Sequence, residues 1–536
     1  MQVTLIDDAT IAVTDAYAQR AALRALDGAR WVAPLRAWLL DATAPNALGL
    51  SALGPLPPEV AALVPRREQR VVEDTGEWLT RATPYEHQRR GVAGAMEALT
   101  RGGGGYFLLF EMGCGKTLAA LEVASRLHAA GEVSRVLVIC PGAVVPVWAR
   151  EAAQYLDTPH EVAELLGPKA KRIAALRALS GRLQIAAVNV ESSWRIDELV
   201  GWADLLIIDE SQRIKGHSSK QSKGVARIAR ECRYRLGLTG TPVTNGPLDI
   251  WAQYRAVAPR IFAPSYYAHR ARYAVMETGY SGAGTFKRVV GYQRLDELAE
   301  RAHTVAYRVT KADALDLPET VDTVVPVHLS DRTQRAYTDL ERESVAAFAG
   351  GECSVTNVLT RLLRLSQVTS GYVPRDDGEV ETLGTEKLDA ACEVIADAID
   401  GGGKAVAFCR FTREVEYLLE RFGQSAVGLH GAVPDTDRAE AVRRFQDDDD
   451  VRVMVAQLQV GGAGITLTAA STMVFVSLSY NAGDYEQAKA RIHRIGQAEK
   501  CTYVHLVAEG TVDETVLDAL RAKRSVAEMI VDRYRR

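Results

Sequence analysis

The sequence contains no uninterrupted apolar run that approaches the roughly 18 residues typical of a membrane-spanning helix. Its opening residues, MQVTLIDDAT, carry two acids where a secretory signal would have a basic stretch and an apolar core. The seven cysteines are scattered and never form a CxxC pair, which argues against a disulfide framework or a zinc knuckle. We therefore expect a cytoplasmic protein with reduced core thiols and no membrane partner.

An excess of positive charge is also absent. The chain has 64 Lys and Arg residues against 68 Asp and Glu residues, a formal net charge of -4, so any nucleic-acid contact must use a local basic lining. The hydrophobic content of 47% and the charged content of 25% exclude a mainly disordered or collagen-like chain. At about 150 residues per domain, a chain of 536 residues predicts about three or four folding units.

Short aliphatic runs alternate with helical patterns over most of the chain, which predicts parallel strands buried on both faces. A first series of runs lies at 106–110, 135–140, 184–189, 204–209 and 234–240. A second series lies at 405–409, 451–456, 473–478 and 503–508. Two parallel sheets are therefore predicted, one for each series.

The segments outside the two series have other patterns. Residues 1–80 end in a Pro-rich stretch and read as a small separate unit, whereas 255–395 reads as helical insertions and a hinge. At the carboxyl end, one helical face is predicted to brace the second sheet; it is formed by Val516, Leu520, Ala527 and Ile530.

The segment EMGCGKT at 111–117 follows the first predicted strand directly. Gly113 and Gly115 allow a tight turn whose N–H groups face an anion, together with the start of the next helix. Lys116 can then reach the β and γ phosphates of a nucleotide, and Thr117 can ligate magnesium. The full phosphate-loop spacing has glycine where this chain has Phe110, so a Gly-rich turn with a chance lysine stays open as an alternative.

A pair of acids, Asp209 and Glu210, ends the buried run DLLIIDE. The carboxyl end of a strand is where an open α/β sheet binds its ligands. Asp209 is suited to hold magnesium, and Glu210 is suited to orient or deprotonate an attacking water. Adjacent acids at a strand end are often only a solvated turn, but the phosphate-loop pattern upstream makes chance a poor explanation.

Several motifs together resemble the Swi/Snf branch of the superfamily II helicase-like ATPases. They are PYEHQRRGV at 84–92, EMGCGKT at 111–117, DESQ at 209–212, LGLTGTPVTN at 236–245, QLQVGGAGITLTAAS at 457–471 and QAKARIHRIGQ at 487–497. The resemblance covers roughly residues 81–520 and implies an α/β fold with two tandem RecA-like lobes, helical insertions and a small N-terminal α+β unit. The expected domains are 1–80, a first lobe at 81–312 with an insertion at about 255–300, and a second lobe at 313–536 with an insertion at about 330–395.

ATP and Mg²⁺ are the cofactors that the resemblance implies. The expected nucleotide contacts are Gln88 at the adenine edge, then Glu111, Met112, Gly113, Cys114, Gly115, Lys116, Thr117, Gly464 and Gln497. The residues expected to couple nucleotide state to motion are Thr239, Thr241 and Gln487. The expected DNA contacts are Pro141, Asn189, Lys215, Arg410, Arg413, His430 and Thr468. Trp148 is an alternative DNA contact, but an indole on an apolar helix is more often part of the core.

Arg491 and Arg494 are the candidate arginine fingers. On a helix, residues three apart lie on nearly one face, so both guanidiniums would point the same way. Such arginines are ordinarily solvated, but beside a nucleotide site they can neutralise phosphate charge, because guanidinium stays charged and spreads over several oxygens. A finger of this kind contributes about 10³ to 10⁵ in rate.

The function implied by the resemblance is ATP-dependent translocation on double-stranded DNA by a monomer. A strand-separating DNA or RNA helicase and a non-catalytic DNA-binding scaffold are the alternatives. Trp31 and Trp38, with Arg20 and Arg24, faintly resemble an accessory module of annealing-type members, which suggests branched or forked DNA. A packed cap is an equal interpretation of that region. The chain's compactness suggests a bacterial or phage setting, and the biological pathway, DNA repair included, stays open.

Overall fold

The computed structural model describes the chain except for residues 8, 17–18, 25, 27, 52, 55, 64–71, 73, 75, 282–283, 316, 350–354, 375–379, 458–464 and 532–536. The chain divides into two compact units. Unit 1 comprises Met1–Glu277, Lys287–Leu315 and Ala522–Arg536, and unit 2 comprises Thr278–Phe286 and Asp316–Arg521. Strands and helices are numbered below in chain order.

Unit 1 begins with a small antiparallel sheet in the order β1-β2-β4-β3. Its strands are β1 (Gln2–Asp7), β2 (Thr10–Thr14), β3 (Arg30–Val32) and β4 (Ala37–Asp41), accompanied by the helices α1 (Arg20–Leu23), α2 (Ala44–Ser51) and α3 (Pro58–Ala61). Ile11, Val13 and Leu40 are buried in a hydrophobic core of this region. Trp31 pairs with Trp38 across β3 and β4.

The main sheet of unit 1 is parallel, with the order β13-β5-β10-β9-β6-β8-β7 among the described residues. Its strands are β5 (Gly105–Phe110), β6 (Arg135–Cys140), β7 (His160–Leu165), β8 (Leu183–Asn189), β9 (Leu205–Asp209), β10 (Tyr234–Leu238) and β13 (Ala306–Val309). Separate hydrophobic clusters cover its two faces, with Leu137 and Leu206 in one and Val136 and Leu205 in the other. Burial on both faces explains why the central strands are nearly continuous apolar runs.

Helices flank this sheet. They are α4 (Glu86–Ala98), α5 (Lys116–Ala129), α6 (Val145–Tyr155), α7 (Lys169–Ala178), α8 (Val190–Ser193), α9 (Lys220–Glu231), α10 (Ile250–Val257), α11 (Tyr266–Tyr273), α12 (Leu295–His303) and α13 (Lys311–Ala314). A long hairpin of β11 (Ala274–Ser281) and β12 (Gly284–Tyr292) stands between α11 and α12.

Unit 2 contains a second parallel sheet, whose described strands have the order β14-β21-β20-β17-β19-β18. They are β14 (Thr320–Val327), β17 (Ala405–Cys409), β18 (Ala426–Leu429), β19 (Val453–Gln457), β20 (Thr472–Phe475) and β21 (Cys501–Ala508). The helices are α14 (Asp331–Ala349), α15 (Val355–Thr369), α16 (Glu386–Asp400), α17 (Thr412–Phe422), α18 (Asp435–Asp447), α19 (Ala482–Lys489) and α20 (Val512–Val531). A short hairpin joins β15 (Tyr372–Pro374) to β16 (Val380–Thr382).

The prediction of an α/β fold with two parallel sheets is confirmed, and every predicted run forms a strand. The strands missed in these sheets are β7, β13, β14 and β18, and each lies at an edge of the described sheet. Edge strands are short or carry polar residues, as in HEVAEL of β7 and TVDTVVPV of β14, so they lack the continuous apolar run of a central strand. Residues 255–395, which were expected to supply helical insertions and a hinge, also contribute β13 to one sheet and β14 to the other.

The last helix, α20, packs as expected at its beginning, where Val516 and Leu520 are buried in the core of unit 2. The side chains of Ala527 and Ile530 lie outside the described residues. Within the described ranges, no helix combines the length and the apolar character needed to cross a membrane.

Candidate active site

The phosphate-loop candidate connects β5 to α5. Two of its glycines adopt left-handed backbone, with φ of 91° at Gly113 and 74° at Gly115, a conformation that other residues reach only with strain. A Cβ on Gly115 would also lie 2.0 Å from Nε2 of Gln88. Lys116 opens α5, and its Nζ donates to the carbonyl oxygen of Phe110 at 3.2 Å. The ammonium is thereby folded over the loop.

Glu111 fastens this loop to the neighbouring strand. Its carboxylate accepts from Nη2 of Arg308 at 3.2 Å and from the backbone N–H of Lys311 at 2.8 Å. Arg308 is 6% exposed and also donates to the carbonyl oxygens of Leu109 and Gly240 at 3.0 and 2.9 Å. Glu111, an expected nucleotide contact, is thus also a structural brace. Arg308 was missed by the sequence analysis, although an arginine inside the run AYRV could have signalled a buried cation.

Gln88 is held against the loop from the other side. Its Oε1 accepts from the backbone N–H of Tyr85 at 2.9 Å, and its Nε2 donates to the carbonyl oxygens of Cys114 and Gly115 at 3.5 and 3.4 Å. Nε2 of His87 lies 2.9 Å from the same Cys114 oxygen, and burial lowers the pKa of His87. The side-chain amide of Gln88, which was expected to contact the adenine edge, therefore donates to the carbonyl oxygens of the loop in this structure.

A cavity of about 200 Å³ adjoins Gln88. It is lined by Tyr85, Glu86, His87, Arg90, Tyr307, Arg308, Val309, Asp313 and Ala314. The rings of Tyr85 and His87 stack with their centroids 5.7 Å apart at one side of it. Planar aromatic groups beside a phosphate loop suit a flat heterocycle such as a nucleobase.

Asp209 ends β9 and is almost fully buried. Its Oδ2 accepts from the indole Nε1–H of Trp148 at 3.0 Å, and its Oδ1 accepts from the backbone N–H of Glu210 at 3.0 Å. Burial, together with the charge of Glu210, raises the pKa of Asp209 to about 6, while Lys116 and Trp148 oppose that rise. A carboxylate buried beside a second acid is suited to binding a cation, because a cation would relieve both effects.

Trp148, whose sequence position suits either a DNA contact or the core, is therefore a residue of this site. It lies on α6 and is completely buried. Its apolar ring belongs to the core, as expected for such a helix, while its indole N–H donates a hydrogen bond to Asp209. Nothing in the local sequence distinguishes this role, because the partner is 61 positions away.

Glu210 is connected by hydrogen bonds to two of the expected coupling residues, Thr239 and Thr241. Nε2 of Gln212 donates to Oε2 of Glu210 at 2.6 Å. The hydroxyl of Thr239 donates to Oε1 of the same Gln212 at 2.7 Å and accepts from the backbone N–H of Thr241 at 3.0 Å. Glu210 also has a left-handed backbone, with φ of 50°, a strain that clusters at functional sites. The structure thus joins the second acid to both expected coupling threonines.

In unit 2, the arginine pair differs from the expectation in one respect. α19 ends at Lys489, so Arg491 and Arg494 lie in turns and not on a helix. The carbonyl oxygen of Arg491 accepts from the backbone N–H of Leu467 rather than from a residue of a continuing helix. Even so, Nη1 of each arginine donates to the carbonyl oxygen of Ile465, at 3.2 and 3.3 Å. The prediction of a helix was wrong, but the two guanidiniums do converge.

The other expected residues of this region have separate positions. Nε2 of Gln497 donates to the carbonyl oxygens of Thr468, Ala470 and Ile492 at 3.3, 2.8 and 3.1 Å, so this amide braces the turn. Gln487 is buried on α19. Gly464 lies outside the described residues.

The expected DNA contacts of unit 1 lie near the carboxyl ends of strands. Pro141 follows β6, Asn189 ends β8 and Lys215 follows β9 by a short turn. Asn189 accepts from Nη1 of Arg172 at 3.2 Å. Nζ of Lys215 donates to the hydroxyl of Thr244. These two side chains already have protein partners, which a phosphate would have to replace or share.

Two candidates of unit 2 lie at the corresponding edge of the second sheet, where Arg410 follows β17 and His430 follows β18. Arg410 donates to the hydroxyl of Ser366 at 3.3 Å, and burial lowers its pKa. The guanidinium of exposed Arg413 lies 5.7 Å from the ring centre of Tyr372. Thr468 accepts from Nε2 of Gln446 at 3.3 Å.

One parallel sheet of the chain leads into a lysine-bearing candidate phosphate loop and an acid pair. A second parallel sheet is accompanied by two converging arginines. This combination is typical of the class of helicase-like ATPases. The model of the SNF2-related domain matches residues 87–371, and the model of the helicase conserved C-terminal domain matches residues 386–496. Because the first match alone spans more than half of the chain, the protein belongs to the SNF2-related family.

Individual relatives are similar at low identity. The chain is 26% identical over 446 residues to the chromodomain-helicase-DNA-binding protein 1-like of Danio rerio, covering 79% of the chain and 42% of the relative. It is 24% identical over 433 residues to the DNA annealing helicase and endonuclease ZRANB3 of Bos taurus, covering 78% of the chain and 38% of the relative. An uncharacterized ATP-dependent helicase of Mycoplasma genitalium is 23% identical over 453 residues, with 83% and 42% covered.

The chain thus spans about two-fifths of the length of these curated relatives. Among solved structures, the SWI2/SNF2 ATPase core of Sulfolobus solfataricus in complex with double-stranded DNA is 24% identical. It has a TM-score of 0.41, with 86% of this chain and 95% of that chain covered.

Proposed function

We propose that the protein hydrolyses ATP to translocate along double-stranded DNA without general strand separation. The observation that carries this proposal is the side-chain path from Glu210 through Gln212 to Thr239, beside the buried Asp209. Because Glu210 is hydrogen-bonded through Gln212 to a residue outside the phosphate loop, a change at the nucleotide can be transmitted to another part of the protein. Membership of the SNF2-related family supports DNA as the track.

In this mechanism, Lys116 binds the terminal phosphates, and Glu210 orients the attacking water and accepts its proton. Thr117 and Asp209 offer the hydroxyl and carboxylate oxygens that Mg²⁺ prefers, and Asp209 is almost fully buried beside a second acid. When bound, the metal would neutralise phosphate charge. Arg491 and Arg494 neutralise further charge as the bond to the leaving phosphate breaks, with their guanidiniums released from the carbonyl of Ile465.

DNA is gripped through its phosphate backbone, for which no base readout is needed. The proposed contacts are Pro141, Asn189, Lys215, Arg410, Arg413, His430 and Thr468. Local basic side chains suffice for such a grip, although the formal net charge of the chain is -4.

The deciding experiment compares ATPase stimulation by duplex DNA, single-stranded DNA and RNA at equal nucleotide concentration, with displacement of a triplex-forming strand measured in parallel. Stimulation by duplex DNA together with triplex displacement is the expected result. Unwinding of a forked duplex would favour a strand-separating helicase instead. Equal ATP turnover in wild type and Glu210→Gln would show that the measured hydrolysis does not use this site. The non-catalytic DNA-binding scaffold would then be the favoured function.

The small sheet of β1–β4 is proposed to hold branched DNA. Trp31 is 52% exposed, whereas its cross-strand partner Trp38 is 7% exposed and packs into the core. An exposed indole can stack on an unpaired base. Trp31→Ala should weaken binding to forked DNA, and Leu35→Ala, at a site that is 58% exposed, is the matched control. If both variants bind forked DNA with equal affinity, the sheet is better interpreted as a packed cap without a DNA-binding role.

A further inference from the structure

A second cavity of unit 1 lies at the amino ends of β5 and β10. Its volume is about 470 Å³, and it is lined by Leu99, Thr100, Gly102, Gly104, Arg233, Tyr234, Arg235, Ala258, Pro259, Arg260, Ile261 and Val305. The phosphate loop follows the carboxyl end of the same β5. Since a strand rises about 3.3 Å per residue, the length of β5 separates the cavity from the phosphate loop by about 20 Å. The cavity is therefore separate from the nucleotide site.

The charged residues of this lining are all arginines. Arg233 is compensated, because it forms an ion pair with Glu132, and Glu132 also accepts from the hydroxyl of Tyr234 at 3.1 Å. Arg235 donates through Nε to the carbonyl oxygen of Gly104 at 3.1 Å. Neither Arg235 nor Arg260 forms an ion pair with any carboxylate in the described part of the chain. Two positive charges of the cavity therefore lack a counter-ion.

The environment of Arg235 makes this arrangement costly. Burial lowers the pKa of Arg235, and the charge of Arg260 lowers it as well. A half-buried guanidinium that faces a second guanidinium is unfavourable unless an anion lies between them. Arg260 is exposed at the mouth of the cavity, whereas Arg235 is partly buried. An anion that enters the cavity would meet both.

We propose that this cavity binds a phosphate group, with Arg235 and Arg260 as its main ligands. Guanidinium forms paired, charge-assisted hydrogen bonds with phosphate oxygens, and it stays protonated and charged at ordinary pH. The volume lies in the range of small-molecule sites. The phosphate belongs either to a free phosphorylated molecule or to a nucleic-acid backbone, since the same chemistry recognises both.

Calorimetric titration with pyrophosphate tests the proposal, because pyrophosphate also fits the phosphate loop and gives an internal reference. Wild type should bind two equivalents. Lys116→Ala should lose one of them, and Arg235→Gln/Arg260→Gln should lose the other. Arg227→Gln, which removes an exposed arginine paired with Asp197, should keep both. An unchanged stoichiometry in the double variant would overturn the proposal.

Arg235 also holds the turn at Gly104, so its replacement affects local structure as well as charge. Arg260→Gln alone avoids this problem, because Arg260 is exposed and makes no hydrogen bond within the described residues. We expect it to weaken the arginine-dependent equivalent about tenfold, the effect of losing about one charge-assisted contact. Wild-type affinity in this variant would count against the site.

A competition arm identifies the source of the phosphate. A short blunt duplex is added before the pyrophosphate titration of Lys116→Ala, in which the arginine-dependent equivalent is the one that remains. Loss of that equivalent assigns the cavity to a nucleic-acid backbone. Its persistence at saturating duplex assigns the cavity to a free phosphorylated molecule.

Discussion

Arg491 and Arg494 both donate to the carbonyl oxygen of Ile465, although no helix carries them. A backbone carbonyl is a weak neutral partner for two guanidiniums, so phosphate oxygens would replace it at a gain. The shared carbonyl oxygen thus brings the two guanidiniums together in advance. This geometry motivates the first prediction.

Arg494→Ala should reduce kcat for ATP hydrolysis by about 10³ or more, because a guanidinium that neutralises transition-state charge contributes on that scale. Nucleotide affinity, measured with a fluorescent ATP analogue, should change far less. Arg494→Lys should not restore the rate, since an ammonium cannot span several oxygens. Arg443→Ala, in an exposed ion pair with Glu440, is the control for charge removal in unit 2. A kcat within twofold of wild type in Arg494→Ala would exclude the finger role.

Trp148→Phe should raise the Mg²⁺ concentration that gives half-maximal ATPase activity by at least about fivefold. The change keeps an aromatic ring in the core but removes the donor to Asp209, and a hydrogen bond to a charged group is worth about 1.5 to 3 kcal/mol. The readout is the ATPase rate as a function of Mg²⁺ at saturating ATP. Because Trp148 acts through Asp209, it is a positioning residue.

Trp251→Phe is the matched control for Trp148→Phe. Trp251 lies on α10 of the same unit, and its Nε1–H donates to the backbone carbonyl of Ala263 at 2.9 Å. It should lose some stability with no change in Mg²⁺ dependence. If both tryptophan variants shift the Mg²⁺ curve equally, the effect is one of general packing.

Thr239→Val should lower the stimulation of hydrolysis by duplex DNA about tenfold while leaving basal hydrolysis within about threefold. Valine keeps the shape of threonine but leaves Oε1 of buried Gln212 without its donor, a loss of about 1 to 3 kcal/mol. The control is Ser193→Ala, which removes another buried hydroxyl of unit 1. Parallel loss of basal and stimulated rates would instead place Thr239 in the hydrolytic step.

His269→Phe should make the protein less sensitive to acid. Both ring nitrogens of His269 lack a hydrogen-bond partner among the described residues, and Phe262 and Tyr273 surround the ring. Burial, helped by the charge of Arg301, lowers the pKa of His269 to about 4. The unfolded chain takes up the proton near pH 6.5, so stability falls as the pH drops from about 6.5 to 4, by up to about 1.4 kcal/mol per pH unit.

Differential scanning calorimetry at pH 7.5 and pH 5.0 measures this effect as the difference between the two Tm values. The difference should be smaller in His269→Phe than in wild type. His160→Phe, at a partly exposed histidine, should leave it unchanged. The account of His269 fails if its replacement leaves the acid-induced loss of Tm intact.

The sequence identifies the central strands of both sheets because these strands are buried on two faces and must be apolar throughout. The edge strands β7, β13, β14 and β18 escape detection because polar residues or a glycine interrupt their short runs. The same logic applies to the active site. Gly113, Gly115, Lys116, Asp209 and Glu210 lie at or just after strand ends, so local spacing is enough to mark them as candidate site residues.

By itself, the sequence determined that this chain has two parallel sheets, with a glycine-rich turn and an acid pair at strand ends, because periodicity and motif spacing are local properties. Tertiary structure alone decided that Trp148 holds Asp209, that Arg308 braces the loop, and that Arg491 and Arg494 converge without a helix. It also decided that Arg235 and Arg260 share a cavity. These relationships join residues far apart in the chain or depend on a backbone turn, and neither is encoded in the pattern of neighbouring residues.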